Sequence, residues 1–170
     1  MIKKILLYGF IAIVAIFLLI QLVPYGRNHT NPPVVKEPAW DSPQTQALFQ
    51  QACADCHSNN TKWYWYSNIA PFSWLIQRDV DEGRARLNYS ECGVPRPRRE
   101  GGFEGRSNFP NVTPPPGGFQ PRFEGGGDVS EVILRGSMPP IQYTLIHPSA
   151  NLSTAERQAL AQGLANSPCQ

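Results

Sequence analysis

A continuous apolar run opens the chain, and shorter apolar stretches separated by polar ones follow it. The 19 residues of the run, 5–23, contain one strongly polar side chain, Gln21. In an α-helix such a run extends for roughly 28 Å, close to the hydrocarbon thickness of a bilayer. The pattern predicts a single transmembrane helix over residues 1–23. Because no small-x-small cleavage site follows Val23, we expect an uncleaved anchor and not a signal peptide.

The charged residues favour one orientation of this anchor. The chain has 15 basic and 13 acidic residues, and Lys3 and Lys4 ahead of the apolar run account for the excess. The positive-inside rule places the N-terminus in the cytoplasm and everything after residue 23 on the periplasmic or extracellular side of the cytoplasmic membrane. The exported part carries no net charge, which argues against a nucleic-acid binder that depends on phosphate contacts.

Prolines mark the segment that follows the anchor. Pro24, Pro32, Pro33 and Pro38 disfavour regular structure across residues 24–40. We predict an extended Pro-rich linker there, flexible enough to let the following domain swing between partners.

The remaining residues, 41–167, predict one helical domain. Asp41 or Ser42 caps a helix that runs to Cys53, with Pro43 in its first turn. Since no strand-like alternation of useful length occurs, we expect an all-α fold.

Three further helices are predicted from the residues at their ends. One opens at Pro71 and extends to about Leu87. The other two begin at sequences with capping-box spacing, Asp128 to Glu131 and Ser153 to Glu156.

Residues 92–127 differ in kind from the rest of the domain. They hold nine glycines and seven prolines, a composition that cannot bury enough apolar surface to offset its chain entropy. We predict a low-complexity insertion that is disordered or loosely held.

The chemistry of the chain is concentrated at Cys53, Cys56 and His57, which form C-x-x-C-H, the spacing of covalent haem attachment. Two thiols at this spacing can bond to the two vinyl groups of one porphyrin, and the adjacent imidazole can then bind the iron. The motif predicts one covalent haem c, held by Cys53 and Cys56, with His57 as the proximal iron ligand.

Two other interpretations of the cysteine pair are weaker. A redox dithiol of the thioredoxin kind needs strands in a βαβ pattern, which are missing here. A zinc site needs two more ligands at close spacing, and Cys92 and Cys169 each stand alone in the sequence.

Counting residue types narrows the candidates for the sixth iron ligand. Beyond the initiator the chain has one methionine, Met138, in Gly-Ser-Met-Pro-Pro. A loop made rigid by prolines suits a thioether ligand, which favours Fe(II) and raises the reduction potential. Packing in the core is the alternative role for Met138. His147 is the second candidate for the sixth ligand, and His29 in the linker is a weaker one.

The aromatic residues after the motif are too many for an ordinary surface. Trp63, Trp65 and Trp74 are candidates for the wall of the haem site, with plain packing as the alternative for each. In an oxidising compartment Cys92 and Cys169 either pair or stay free, and the sequence leaves both open.

The segment CADCHSNNTKWYWYSNIAPFSWLIQRDVDEGRARLNYSE, residues 53–91, resembles a family of small, membrane-anchored bacterial haem-binding proteins with a c-type cytochrome-like domain. The resemblance resumes at ILRGSMPP, residues 133–140, and continues through the final helix. It implies that Cys53 and Cys56 attach haem and that His57 and Met138 bind the iron. The chain departs from the family at residues 92–127, where Cys92 replaces a tryptophan and the connection is longer.

These features predict a tethered c-type cytochrome that transfers single electrons between protein redox partners. With both axial positions of the iron filled, we expect no small-molecule substrate and no enzymatic activity. A haem-based sensor or small-ligand-binding module with a labile sixth ligand is the alternative, and a peroxidase-like enzyme is the weakest one.

Overall fold

The computed structural model describes residues 2–94 and 129–169, and this part of the chain is helical and contains no strand. The predicted all-α fold is confirmed. The single β-type pairing in the described part is an isolated bridge between Lys36 and Glu91. The α-helices are α1 (Ile2–Ile20), α2 (Pro43–Ala52), α3 (Ala54–His57), α4 (Phe72–Arg86), α5 (Val129–Leu134), α6 (Ile141–Ile146) and α7 (Thr154–Ala165), and Trp65–Asn68 and Pro148–Ala150 form short 3₁₀ helices.

Helix α1 stands apart from the packed part of the molecule. It buries none of its 19 residues, although nearly all of them are apolar. Among the described residues it is the one helix long and apolar enough to cross a membrane. A helix that is apolar on every side and has no protein around it is consistent with a lipid environment.

The predicted helix starts have a clear physical basis. The Ser42 hydroxyl accepts a hydrogen bond from the backbone N–H of Thr45, so Ser42 and not Asp41 caps α2. Ser153 and Glu156 form a complete capping box at the start of α7. Helix α4 begins at Phe72, directly after Pro71 as predicted. Sequence analysis missed the short helix α6, which begins after Pro140.

The core lies between α2, α5 and α7. Leu48 and Phe49 of α2 pack against Leu160 and Leu164 of α7, and Ile133 of α5 completes the cluster. All five side chains are buried. At the crossing of α2 and α7, a Cβ at Gly163 would clash with the Thr45 side chain, so glycine permits the close approach of the two helices.

Cys92 and Cys169 form a disulfide, with their Cα atoms 4.6 Å apart and 77 positions apart in sequence. The sequence left this pairing open. The bond ties the residue after Glu91 to the end of the chain, at the edge of the core. Close by, the Ser167 hydroxyl accepts a hydrogen bond from the Asp41 N–H at 2.9 Å, which joins the two ends of the helical domain.

The segment 24–40 contains no helix or strand, in keeping with its prolines, but it is not a free tether. The Ser90 carbonyl accepts hydrogen bonds from the backbone N–H groups of Val35 and Lys36. The Asn31 side chain donates to the Thr61 carbonyl at 2.9 Å. The segment therefore lies along the domain, and the expectation of a swinging linker is not what the structure shows. The predicted insertion, residues 92–127, falls outside the described residues except at 92–94.

Replacing Gly163 with alanine tests the crossing of α2 and α7. Alanine favours helix by about 1 kcal/mol over glycine, but the clash with buried Thr45 should outweigh this gain. We expect Gly163→Ala to lower the free energy of unfolding by about 1–3 kcal/mol in chemical denaturation. The exposed neighbour Gln162 is the control, since Gln162→Ala should change it by less than about 0.5 kcal/mol. A Gly163→Ala variant as stable as the parent would contradict the close crossing.

Candidate functional site

The C-x-x-C-H motif forms the junction of α2 and α3. Cys53 ends α2 by donating its N–H to the Phe49 carbonyl at 2.8 Å. The Cys53 carbonyl then accepts from the N–H groups of Cys56 at 3.2 Å and His57 at 2.9 Å. One tight turn therefore holds all three residues. The two cysteines are partly buried free thiols and are not bonded to each other.

The environment of the two thiols disfavours dithiol redox chemistry. Burial raises the pKa of Cys53 to about 12. Burial, with smaller contributions from Asp79 and Asp55, raises the pKa of Cys56 to about 12. Both groups are therefore protonated at neutral pH. A thiol–disulfide exchange enzyme needs a thiolate as its nucleophile, so the weaker interpretation of the pair as a redox dithiol loses further support.

The His57 ring is oriented by a backbone carbonyl. Its Nδ1 lies 3.0 Å from the Leu87 oxygen, at the end of α4. Because a carbonyl can only accept, Nδ1 carries the hydrogen and the lone pair of the neutral imidazole is on Nε2. A hydrogen bond at one ring nitrogen that orients the other is typical of histidines that bind metals.

A buried network of hydrogen bonds joins the chain after His57 to the chain after Leu87. The Tyr89 N–H donates to the His57 carbonyl at 2.8 Å. The Asn88 amide donates to Asn59 Oδ1 at 2.8 Å, and the Asn59 N–H donates to Ser90 Oγ at 2.9 Å. Asn59, Asn88 and Ser90 are each at most 2% exposed. The network fixes the position of the carbonyl that holds His57.

Sequence analysis assigned no role to Asn59, Asn88 and Ser90. They occur in the CHSN and LNYSE segments that carried the resemblance, about 30 residues apart. Their pairing depends on α4 returning the chain to the motif, which no local pattern reveals. The sequence feature that could have pointed to these residues is the run of small polar residues directly after a predicted helix.

Helix α4 packs directly on the motif. A Cβ at Gly83 would clash with the Cys56 carbonyl, so only glycine permits this contact. The adjacent Arg84 donates from Nε to the Ser58 carbonyl at 2.9 Å. The helix therefore supports the motif from behind and carries Leu87 to His57.

A small cavity of about 40 Å³ opens beside Cys56. It is lined by Ile76 and Val80 of α4, Ile146 of α6, and a group of tyrosine, histidine and polar residues: Tyr64, Tyr66, Tyr143, His147, Asp55, Thr61, Lys62 and Ser67. A second cavity of about 130 Å³, beside Ala54 and Ser58, has a more polar wall that includes Glu37 and Gln46. The cavity beside Cys56 is far smaller than a porphyrin, but its apolar surface and the free thiol at its wall suit the edge of an apolar prosthetic group attached through sulfur.

His147 is held by hydrogen bonds at both ring nitrogens. Nδ1 donates to the Tyr143 carbonyl at 3.2 Å. Nε2 lies 2.7 Å from the Tyr66 hydroxyl, which is therefore the donor. The Nε2 lone pair, the one that could bind iron, already accepts this hydrogen bond, so this arrangement disfavours His147 as the sixth ligand.

Met138 lies in the loop between α5 and α6 and is half-buried. It is not among the residues that line either cavity. The loop is fixed at its start by the Ser137 N–H, which donates to the Val132 carbonyl at 3.1 Å. After the loop, the Tyr143 hydroxyl donates to Asp55 Oδ2 at 2.7 Å. This bond ties α6, and with it the methionine loop, to the cysteine motif.

The predicted tryptophan wall is not found at the cavity beside Cys56. Trp63 stacks on His29 with ring centroids 4.7 Å apart, and the His29 Nε2 lies 3.1 Å from the Ser67 carbonyl. Both residues therefore have packing roles. Trp65 is 75% exposed. The buried indole N–H of Trp74 has no acceptor among the described residues.

Replacing Asn88 with alanine tests the network behind His57. The change removes the donor to Asn59 Oδ1 and the acceptor for the Ser90 N–H. Both of these groups stay buried but lose that hydrogen bond. We expect Asn88→Ala to lower the free energy of unfolding by about 2–3 kcal/mol in chemical denaturation. Asn60 is exposed, and Asn60→Ala should cost less than about 0.5 kcal/mol. Equal effects of the two substitutions would show that the network contributes nothing.

Comparison with known proteins places this site in a family. The family model described as a haem-binding domain matches residues 15–101 and 120–166. The interval between the two matched parts lies within the Gly- and Pro-rich segment. Searches of curated proteins and of solved structures return no match. Since the matched residues make up most of the chain and contain the cysteine motif, the methionine loop and the segment that holds His57, the chain belongs to the haem-binding domain family.

Proposed function

We propose that this protein is a c-type cytochrome that transfers single electrons at the outer face of the cytoplasmic membrane. One observation carries the proposal. Two unpaired thiols at C-x-x-C spacing precede a histidine whose Nδ1 is held by the Leu87 carbonyl at 3.0 Å. The haem, when bound, supplies one-electron Fe(III)/Fe(II) chemistry.

The cysteines would hold the haem covalently. Cys53 and Cys56 would each hold one vinyl group through a thioether bond, and the addition of S–H to a vinyl group would need no oxidant or reductant. The raised pKa values of Cys53 and Cys56 keep this hydrogen on the sulfur before attachment. The apolar cavity beside Cys56 would exclude water from one side of the ring. Exclusion of water raises the reduction potential of a haem.

His57 and Met138 are the proposed axial ligands. The Leu87 carbonyl presents the Nε2 lone pair of His57 for binding. Met138 is the single methionine beyond the initiator, and the bond between Tyr143 and Asp55 keeps its loop close to the motif. If His57 and Met138 both held the iron, it would offer no position for a substrate. The protein would therefore act on protein redox partners and not as an enzyme.

The location follows from α1. We propose that it crosses the cytoplasmic membrane once, with Lys3 and Lys4 on the cytoplasmic side. The helical domain would then lie on the periplasmic or extracellular side. Covalent haem attachment takes place there, and a disulfide such as Cys92–Cys169 is stable in that oxidising environment.

A haem-based sensor is the second candidate function. The observation that favours it is the position of Met138, which is half-buried but does not line the cavity beside Cys56. A thioether that leaves the iron readily would open one axial position to a small ligand.

The optical spectrum of the chain, produced together with the haem-attachment machinery, distinguishes these functions. We expect a low-spin haem that stays bound in denaturant. Met138→Ala should remove the weak iron–sulfur charge-transfer band of the oxidised form and yield a high-spin iron that binds carbon monoxide.

His147→Ala is the matched control for that experiment, and we expect it to leave the low-spin spectrum in place. Loss of the low-spin spectrum in His147→Ala alone would make His147 the ligand. A wild-type chain that is high-spin and binds carbon monoxide would favour the sensor. A chain without covalent haem would overturn the proposal as a whole.

A further inference from the structure

An exposed apolar surface lies beside the outer end of α1. It is formed by Trp65, Phe72 and Leu75, which we refer to as the docking face. We propose that the docking face rests in the interface of the same bilayer that α1 crosses, and so fixes the orientation of the haem domain on the membrane. This inference rests on the proposed membrane span.

The first support is a rigid connection between α1 and the domain. The Gln21 side chain, directly after α1, makes two hydrogen bonds to Ala70. Its Nε2 donates to the Ala70 carbonyl at 2.9 Å, and its Oε1 accepts from the Ala70 N–H at 3.0 Å. A few residues further on, Gly26 is so close to the Ser73 carbonyl that a Cβ would clash with it. The end of the helix is therefore fastened to the start of α4 at two points.

The second support is the height of these contacts above the membrane. The 16 residues of α1 that follow Lys3 and Lys4 span roughly 24 Å, most of the hydrocarbon thickness of about 30 Å. With the two lysines among the inner headgroups, Gln21 lies near the outer end of the hydrocarbon, and Ala70 lies at the same level. Phe72 is two residues from Ala70, so its Cα is at most about 8 Å away. Trp65 is the first residue of the compact 3₁₀ helix Trp65–Asn68, which ends two residues before Ala70.

The third support is the exposure of these side chains. Trp65 is 75% exposed, Phe72 51% and Leu75 40%. Phe72 and Leu75 are three residues apart on α4 and so share a face, whereas Ser73 and Val80 of the same helix are buried. Tryptophan is enriched at membrane interfaces, because its ring is apolar and its N–H remains hydrated.

A cation accompanies the apolar residues at this level. The Arg27 Nη2 donates to Gln21 Oε1 at 3.1 Å, which holds the guanidinium beside the end of α1. An arginine at this height can bind lipid phosphates while its aliphatic stem remains near apolar surface. A soluble partner would have to enter the headgroup region to cover the docking face, whereas lipid is already present at this level, so lipid is the occupant that the geometry favours.

Photo-crosslinking of the full-length, haem-loaded chain in phospholipid vesicles tests this inference. Phe72→p-benzoylphenylalanine places a photoreactive group on the docking face. We expect irradiation to add the mass of one phospholipid. Gln158 is exposed on α7, which packs on α2 and α5 and not on α4. Gln158→p-benzoylphenylalanine should give no lipid adduct.

Phe17→p-benzoylphenylalanine in α1 distinguishes a failure of the docking face from a failure of the membrane anchor. A lipid adduct at position 17 without one at position 72 would keep the membrane anchor and overturn the docking face. No adduct at either position would show that α1 is not in lipid, and both proposals would fail. A crosslinked dimer from position 72 would make a second copy the occupant and overturn the lipid contact.

Discussion

The hydrogen bond between the His57 ring and the Leu87 carbonyl is the constraint around which the site is built. A histidine next to two cysteines has many rotamers, and only a fixed acceptor selects the one with a defined lone-pair direction. The acceptor is a backbone atom at the end of α4, so its position depends on how α4 packs. Gly83 sets that packing, because its missing side chain lets the helix reach the Cys56 carbonyl. The orientation of the histidine is thus determined by a glycine 26 positions away in the sequence.

Burying the polar side chains around this bond costs free energy unless each of them makes hydrogen bonds. This cost explains why each of them has a hydrogen-bond partner. Asn59 and Asn88 are almost fully buried, and each buried amide without a partner would cost about 1–3 kcal/mol. Their side chains bond to each other, and both also bond to the backbone or side chain of the 88–91 segment. A network of this kind is rigid because any displacement breaks several bonds together. For the electron transfer proposed here rigidity would be useful, since little rearrangement would then accompany a change of oxidation state.

Sequence reasoning succeeded where the signal was local. The apolar run, the Ser42 cap and the Ser153–Glu156 capping box each depend on a few adjacent residues, and the helices begin where these predict. It failed where partners are distant. The contacts of Asn59 with Asn88 and of Asp55 with Tyr143 join segments that only the folded chain brings together. The proline-rich segment 24–40 illustrates the same limit, because its composition predicts extended backbone but cannot show what that backbone lies against. The roles expected for Trp63, Trp65 and Trp74 rested on residue type alone, and type does not distinguish a cavity wall from a packed or exposed ring.

Gln21 shows how one polar residue changes the meaning of an apolar run. As a sequence feature it is a tolerated exception near the end of a span. In the structure it binds both backbone groups of Ala70, and Arg27 binds it in turn. If α1 crosses the membrane as proposed, this joint transmits the orientation of the membrane helix to the domain. A redox partner would then meet the cysteine motif from a restricted set of directions. A flexible tether gains encounters by mobility, whereas a fixed domain gains them by presenting one surface correctly to partners that move in the same membrane plane.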